Sequence, residues 1–182
     1  MNLQEKQLSS EYKFKGRIIN LRQDTVMLPN GNTATREVIE HPGGVCVAAL
    51  TDRDELLFVR QWRYPYEEET LEIPAGKRDH LNEDPLECGK RELQEETGAI
   101  AKNYLDLQPL YPTPGYINEV IYCFLATDLT FGEQNTDEDE FLDVLRIPLE
   151  KAVEMVLSGE IKDAKTQIAV LKVKTLRDAG KI

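Results

Sequence analysis

Glu92, Glu95 and Glu96 stand in one stretch bounded by Asp84-Pro85 and Gly98, and their spacing decides what they can do together. At the 100° step of an α-helix the three carboxylates fall within roughly a 100° arc. Leu86, Leu93 and Thr97 cluster on an adjacent arc, with Gly89 at its edge. Leu86 and Leu93 can therefore face a core while the glutamates face one common point. Like charges three and four residues apart repel. Arg91, four residues before Glu95, can pair with it, but one arginine does not balance three carboxylates. A hard divalent cation does, and carboxylate oxygens are the ligands Mg²⁺ prefers. Such an ion also binds phosphate oxygens and activates water, which is what a phosphoryl hydrolase needs. The competing reading is a solvated acidic face on an acidic protein, and the triplet alone favours it. The balance shifts with the ordered series Gly76, Glu83, Arg91-Glu92-Leu93, Glu95-Glu96, Gly98, because a loop–helix pattern of this length rarely arises by chance.

The elements that must hold these residues follow from local signals. Asp84 can cap a helix, Pro85 fits its first position, Glu87 can reach back toward the cap, and Gly98 suits a left-handed stop. A mid-helix glycine costs about 1 kcal/mol against alanine, so Gly89 wants a packing reason, and close approach to a sheet is one. Before the helix, residues 17–28 and 33–40 read as two strands joined at Pro29-Asn30-Gly31, a strong hairpin signal. Residues 1–15 carry little periodic signal. Strands are expected at 45–50, 55–62 and 70–73, with Pro74-Ala75-Gly76 opening a loop. After the helix, strands are expected at 105–110, 119–127 and 141–147, then helices at 148–157 and from the Asp163 cap to about Gly180. That order predicts a mixed α/β (α+β) domain over residues 42–182, preceded by an N-terminal β-hairpin segment over 1–41.

Composition bounds the function. At 41% hydrophobic and 30% charged, the 182-residue chain reads as globular, and no apolar run is long enough to span a bilayer. The N-terminus is polar, so the cytoplasm is the expected location. A net charge of −11 argues against binding nucleic acid or anionic membrane, though not against a small phosphorylated substrate held through metal. Cys46, Cys88 and Cys123 form no CxxC pair, so buried, reduced thiols are expected.

Residues 76–99 resemble the Nudix box, G-x5-E-x7-R-E-U-x-E-E-x-G-U, with one extra residue between Gly76 and Glu83 and Ala99 at the last aliphatic position. The resemblance continues outside the box. Arg60-Gln61-Trp62-Arg63, Glu72-Ile73-Pro74-Ala75-Gly76, Pro114-Gly115-Tyr116-Ile117-Asn118-Glu119, Asp137-Glu138-Asp139-Glu140-Phe141 and the stretch from Gly159 to Thr166 look like the ADP-ribose pyrophosphatase branch of that family. The resemblance implies an α-β-α sandwich around a mixed sheet, and hydrolysis of ADP-ribose to AMP and ribose 5-phosphate. It implies Glu92, Glu95 and Glu96 as ligands of Mg²⁺, with Mn²⁺ as the alternative, and the Ala75 carbonyl as a further ligand. Arg91 would orient the glutamates and Glu83 would be an outer ligand or orienting group. A general base would come from the acidic loop, Glu138 first and Glu140 second. Arg63 would bind the diphosphate or terminal ribose, Arg36 would reach substrate across a dimer interface, and Glu119 would touch substrate. Tyr12, Phe14 or Trp62 could stack the base. A homodimer is implied, completed by the N-terminal strands. Another nucleoside diphosphate derivative is the alternative substrate. A non-catalytic nucleotide sensor is a further alternative, but such proteins usually have degraded box glutamates, and here all are present.

Overall fold

A computed structural model describes residues 2–136 and 141–182. They cluster into two compact units, one of residues up to Gly43 with Tyr111–Val120, the other of Gly44–Leu110 with Ile121–Ile182.

In the first unit, β1 (Lys6–Lys15), β2 (Asn20–Met27) and β3 (Thr33–Glu40) form an antiparallel sheet in that order. The hairpin falls where Asn30-Gly31 predicts it. Gly31 takes φ +86°, and the Leu28 amide closes the loop on the Asn32 carbonyl at 2.8 Å. The added strand is β1. Every residue of it is exposed, including Leu8, Tyr12 and Phe14. A strand with no buried face leaves no alternation to read, which is why residues 1–15 gave no signal. The segment 111–120 docks on β3: the Ile39 amide donates to the Tyr116 carbonyl at 2.8 Å, and the Asn118 amide returns to the Ile39 carbonyl at 3.1 Å.

The second unit contains β4 (Gly44–Ala49), β5 (Glu55–Arg63), β6 (Glu68–Glu72), β7 (Ala75–Lys77), α1 (Pro85–Thr97), β8 (Ala99–Asp106), β9 (Ile121–Phe131), β10 (Leu142–Pro148), α2 (Leu149–Ser158) and α3 (Ala164–Asp178). One sheet runs β7-β4-β9-β8, with β4 and β9 parallel and the other pairs antiparallel. The other runs β10-β5-β6. β4 is buried throughout, as a strand covered on both faces must be. Cys46, Ala48 and Leu50 pack into the core shared with α2 and α3, whereas Val45, Val47 and Ala49 pack into the core shared with α1. Helices thus cover both faces, which is the expected sandwich around a mixed sheet.

The α1 boundaries match their sequence signals. Asp84 Oδ1 accepts the Leu86 amide at 2.9 Å and the Glu87 amide at 3.1 Å, and Gly98 stops the helix at φ +69°. Glu87 pairs with Lys90 at 2.7 Å, the cation three residues on. Gly89 has its packing reason: a Cβ there would stand 3.0 Å from a Val45 methyl and 3.2 Å from a Val47 methyl. Two expectations are corrected. Residues 75–77 pair with β4 as a strand, where a loop is expected from Pro74-Ala75-Gly76. β8 starts at Ala99, directly after the helix stop, because pairing with β9 fixes it from its first residue. Among the described residues no helix is long and apolar enough to cross a membrane.

Candidate active site

The site is the line of contact between α1 and β7. Glu92 and Glu96 are buried, at 8% and 2% exposure. The Glu92 carboxylate lies flat against Gly76, where a Cβ would fall 1.9 Å from its carboxyl carbon. Only glycine leaves that space. Glu96 Oε2 accepts the Ala75 amide at 2.9 Å, which ties the helix to the strand. Glu95 stands one turn on from Arg91 and is more open.

Arg91 is the hub. Its Nη1 lies 2.8 Å from Glu92 and 2.9 Å from Glu95, and its Nη2 lies 3.4 Å from Glu83. Burial alone would lower the pKa of this guanidinium, but Glu92 and Glu95 outweigh it and hold the charge firmly in place. Glu83 also accepts the Asp79 amide at 2.7 Å. Burial pushes its carboxyl up, yet that amide and Arg91 together hold it below the usual range. The extra residue between Gly76 and Glu83 is absorbed in the loop, where Arg78 Nη1 donates to the Leu81 carbonyl at 3.0 Å. Cys88 lies under this cluster. Burial first, then Glu83 and Glu92, push its thiol up to about 12, so it is an inert space-filler here.

The donor set fits a hard divalent cation. It is all oxygen, it is gathered on one helix, and the Gly76 cradle holds one carboxylate against β7. Among the described residues no three carboxylates already converge as a finished cage. Arg91 lies against Glu92 and Glu95, and the Ala75 amide against Glu96.

The segment after β9 straps the far end of α1. The Gly132 amide donates to the Gly98 carbonyl at 2.8 Å, the Asn135 amide to the Glu95 carbonyl at 3.0 Å, and Gln134 Nε2 to the Glu96 carbonyl at 2.7 Å. Carbonyls that the helix end leaves open are thereby satisfied. The strap also brings residue 136 to the end of the glutamate helix. The next four residues, with Glu138 and Glu140 among them, lie outside the described residues. Gln134 carried no sequence signal, because its role depends on a fold that sequence spacing does not show.

The other candidates are placed as follows. Arg63, at the end of β5, grips Glu72 with two parallel bonds, Nε to Oε1 and Nη2 to Oε2, both 2.6 Å. Thr70 adds a 2.7 Å bond to the same carboxylate, and Lys165 from α3 pairs with its other oxygen. Burial pushes the Glu72 carboxyl up, but Arg63 and Lys165 more than reverse this and bring it to about 2. Trp62 is exposed and lines, with Arg60, Gln134 and Phe141, a cleft of about 490 Å³. In the first unit, Arg36 pairs with Glu5 at 2.6 Å, Glu119 with His41 at 3.2 Å, and Tyr12 with Glu40 at 3.0 Å. Phe14 is exposed.

With that geometry described, comparison with known proteins is informative. The NUDIX domain model matches residues 40–168, and the model for the nucleoside diphosphate sugar hydrolase N-terminal domain matches residues 5–39. The ADP-ribose pyrophosphatase of Bacillus subtilis (strain 168) is 42% identical over 171 residues, covering 93% of this chain and 92% of that one. The methanol dehydrogenase activator of Bacillus methanolicus is 40% identical over 169 residues, covering 92% and 91%. A crystal structure of an ADP compounds hydrolase superposes over the whole of both chains with a TM-score of 0.86 at 24% identity, a likeness of fold. The fold and site define a hydrolase built on a carboxylate-bearing helix. The chain belongs to the Nudix family.

Proposed function

We propose that this enzyme hydrolyses the diphosphate bond of ADP-ribose, adding one water to give AMP and ribose 5-phosphate. The observation that carries it is the seating of α1 on β7, with Glu92 against Gly76 and Glu96 on the Ala75 amide, while Arg91 ties Glu92 to Glu95 and Glu83. The choice of substrate rests on the likeness to the Bacillus subtilis enzyme over nearly the whole chain.

Glu92, Glu95, Glu96 and the Ala75 carbonyl would hold the divalent cation, for which Mg²⁺ is proposed and Mn²⁺ is the alternative. When bound, such an ion offsets charge on the diphosphate oxygens and lowers the pKa of an attacking water. The chain's own residues do the rest. Arg91 would orient Glu92 and Glu95, which it pairs with, and Glu83 beside them. Arg63 spends its Nε and one Nη2 edge on Glu72, which leaves the Nη1 edge for a diphosphate oxygen. The strap at 132–136 carries the chain to the acidic loop, from which Glu138, or else Glu140, would take the proton of the water. The Trp62 cleft offers an aromatic wall for a ring of the substrate.

We propose a homodimer as the working form. The support is β1, whose apolar side chains Leu8, Tyr12 and Phe14 are all exposed, more than a solitary surface strand ordinarily leaves. Arg36 and Glu119 would then meet substrate as parts of the assembled site. Sedimentation of the purified chain tests this, and a monomer at micromolar concentration rules it out.

The decisive experiment is product analysis with Mg²⁺ on a panel of ADP-ribose, ADP-glucose, GDP-mannose and diadenosine polyphosphates. Equal AMP and ribose 5-phosphate, formed faster than any other product pair, is the expected result. Faster turnover of another panel member overturns the substrate, and no turnover of any overturns the activity.

A further inference from the structure

Lys165 is an ammonium group that the chain buries at the start of α3, with its side chain only 11% exposed. It contacts Glu72 and lies 3.1 Å from Asp163 Oδ1. Burying a lysine is costly unless it is paired, and here two carboxylates pair it. The first turn of α3 is fixed to the same strand end a second time. Thr166, fully buried, accepts the Ile73 amide at 2.9 Å and donates to Asp163 Oδ2 at 2.6 Å. Both contacts land on Glu72-Ile73, which leads through Pro74 to Ala75 and Gly76 of the active site.

Pairing to Glu72 explains why a lysine stands there. Glu72 is 2% exposed and grips Arg63 with both oxygens. Lys165 supplies a second cation to the same carboxylate. With Asp163 counted the four charges sum to zero, so Lys165 adds no net charge for the substrate; its effect is to fix the Glu72 oxygen that Arg63 Nη2 also grips.

We infer that Lys165 is a positioning residue for substrate binding: it shares Glu72 with Arg63 and so keeps the free edge of Arg63 oriented and available to the substrate diphosphate. This rests on the reading that Arg63 meets the diphosphate. The role belongs to binding of the ground state. It therefore shows in KM, whereas the chemistry on α1 shows in kcat.

The test is a double-mutant cycle on the full chain, with thermal melting of each variant to confirm folding. With ADP-ribose and saturating Mg²⁺, Lys165→Met is expected to raise KM about tenfold and to change kcat by less than about twofold. Lys165→Arg, which keeps the charge, is expected to restore KM to within about threefold. Arg63→Ala is expected to raise KM more, and Arg63→Ala/Lys165→Met no further than Arg63→Ala alone, because the lysine acts through the arginine. An unchanged KM in Lys165→Met overturns the inference. So does an additive double mutant, or a fall in kcat with KM unchanged. If Arg63→Ala itself leaves KM unaltered, the reading of Arg63 fails and the inference falls with it. If the wild type prefers another panel substrate, the substrate assignment fails, and the same cycle run on that substrate still decides the role of Lys165.

Discussion

Glu96 uses one carboxylate oxygen to receive the Ala75 amide and is buried at the helix–strand seam. Glu96→Gln keeps a carbonyl oxygen for that amide and removes the charge. Its expected effect is a loss of about a hundredfold or more in kcat/KM with a melting temperature near wild type. Steady-state hydrolysis beside a thermal melt checks this, and full activity in the variant would sink the catalytic role. Gly76 gives a second handle on the same place. A methyl there falls within the Glu92 carboxylate, so Gly76→Ala must push Glu92 off the strand. The expected outcome is at least a tenfold higher Mg²⁺ concentration for half-maximal rate, read from a metal titration of activity.

At the scale of elements, α1 depends on close approach to β4. Gly89→Leu would place a branched side chain where a single Cβ already meets Val45 and Val47 at 3.0 and 3.2 Å. Overpacking of this kind costs about 3 kcal/mol, and the melting temperature should fall by roughly 6–12 °C. A melt within two degrees or so of wild type, allowing for measurement, would show that the helix sits farther out than this contact. The packing role of Gly89 was legible in the sequence, since Gly89 lies at the edge of the Leu86–Leu93 arc and costs helix stability unless it packs. So were Asp84, Pro85 and Gly98, because capping is local chemistry. β1 was not legible, having no buried face, and neither was β7, whose three residues look like a turn until β4 pairs with them. The glutamates, Arg91 and Gly76 could be read because they share one loop and one helix. Glu72 and Lys165 could not be read as partners, since 93 residues separate them and only the fold joins them.

For the whole molecule, the Glu72 carboxylate, held by Arg63 and Lys165, makes stability depend on pH. The Glu72 carboxyl lies at about 2 in the folded chain against 4.5 ordinarily. Its folded value is depressed, so its stabilisation is complete above about pH 4.5 and is lost as pH falls toward 2. The size is roughly 3 kcal/mol. Chemical denaturation at pH 6, 4 and 3 should show this loss, and Glu72→Gln should flatten that part of the profile. A variant with the same acid slope as wild type would place the sensitivity elsewhere among the 33 acidic residues.

Arg91 pairs with Glu92 and Glu95 of α1 and with Glu83 of the loop before it, so these acids find a partner within the chain itself. Part of the repulsion along α1 thus has an internal counter-charge, and the Ala75 amide meets Glu96. The fold is therefore expected to form without the cation, which would act on activity alone. Dialysis against EDTA should abolish hydrolysis while leaving the far-ultraviolet circular dichroism spectrum unchanged, and adding Mg²⁺ should restore the rate within the mixing time. In a cell, such an enzyme would answer to the concentration of free ion from moment to moment, with no refolding step between scarcity and full activity.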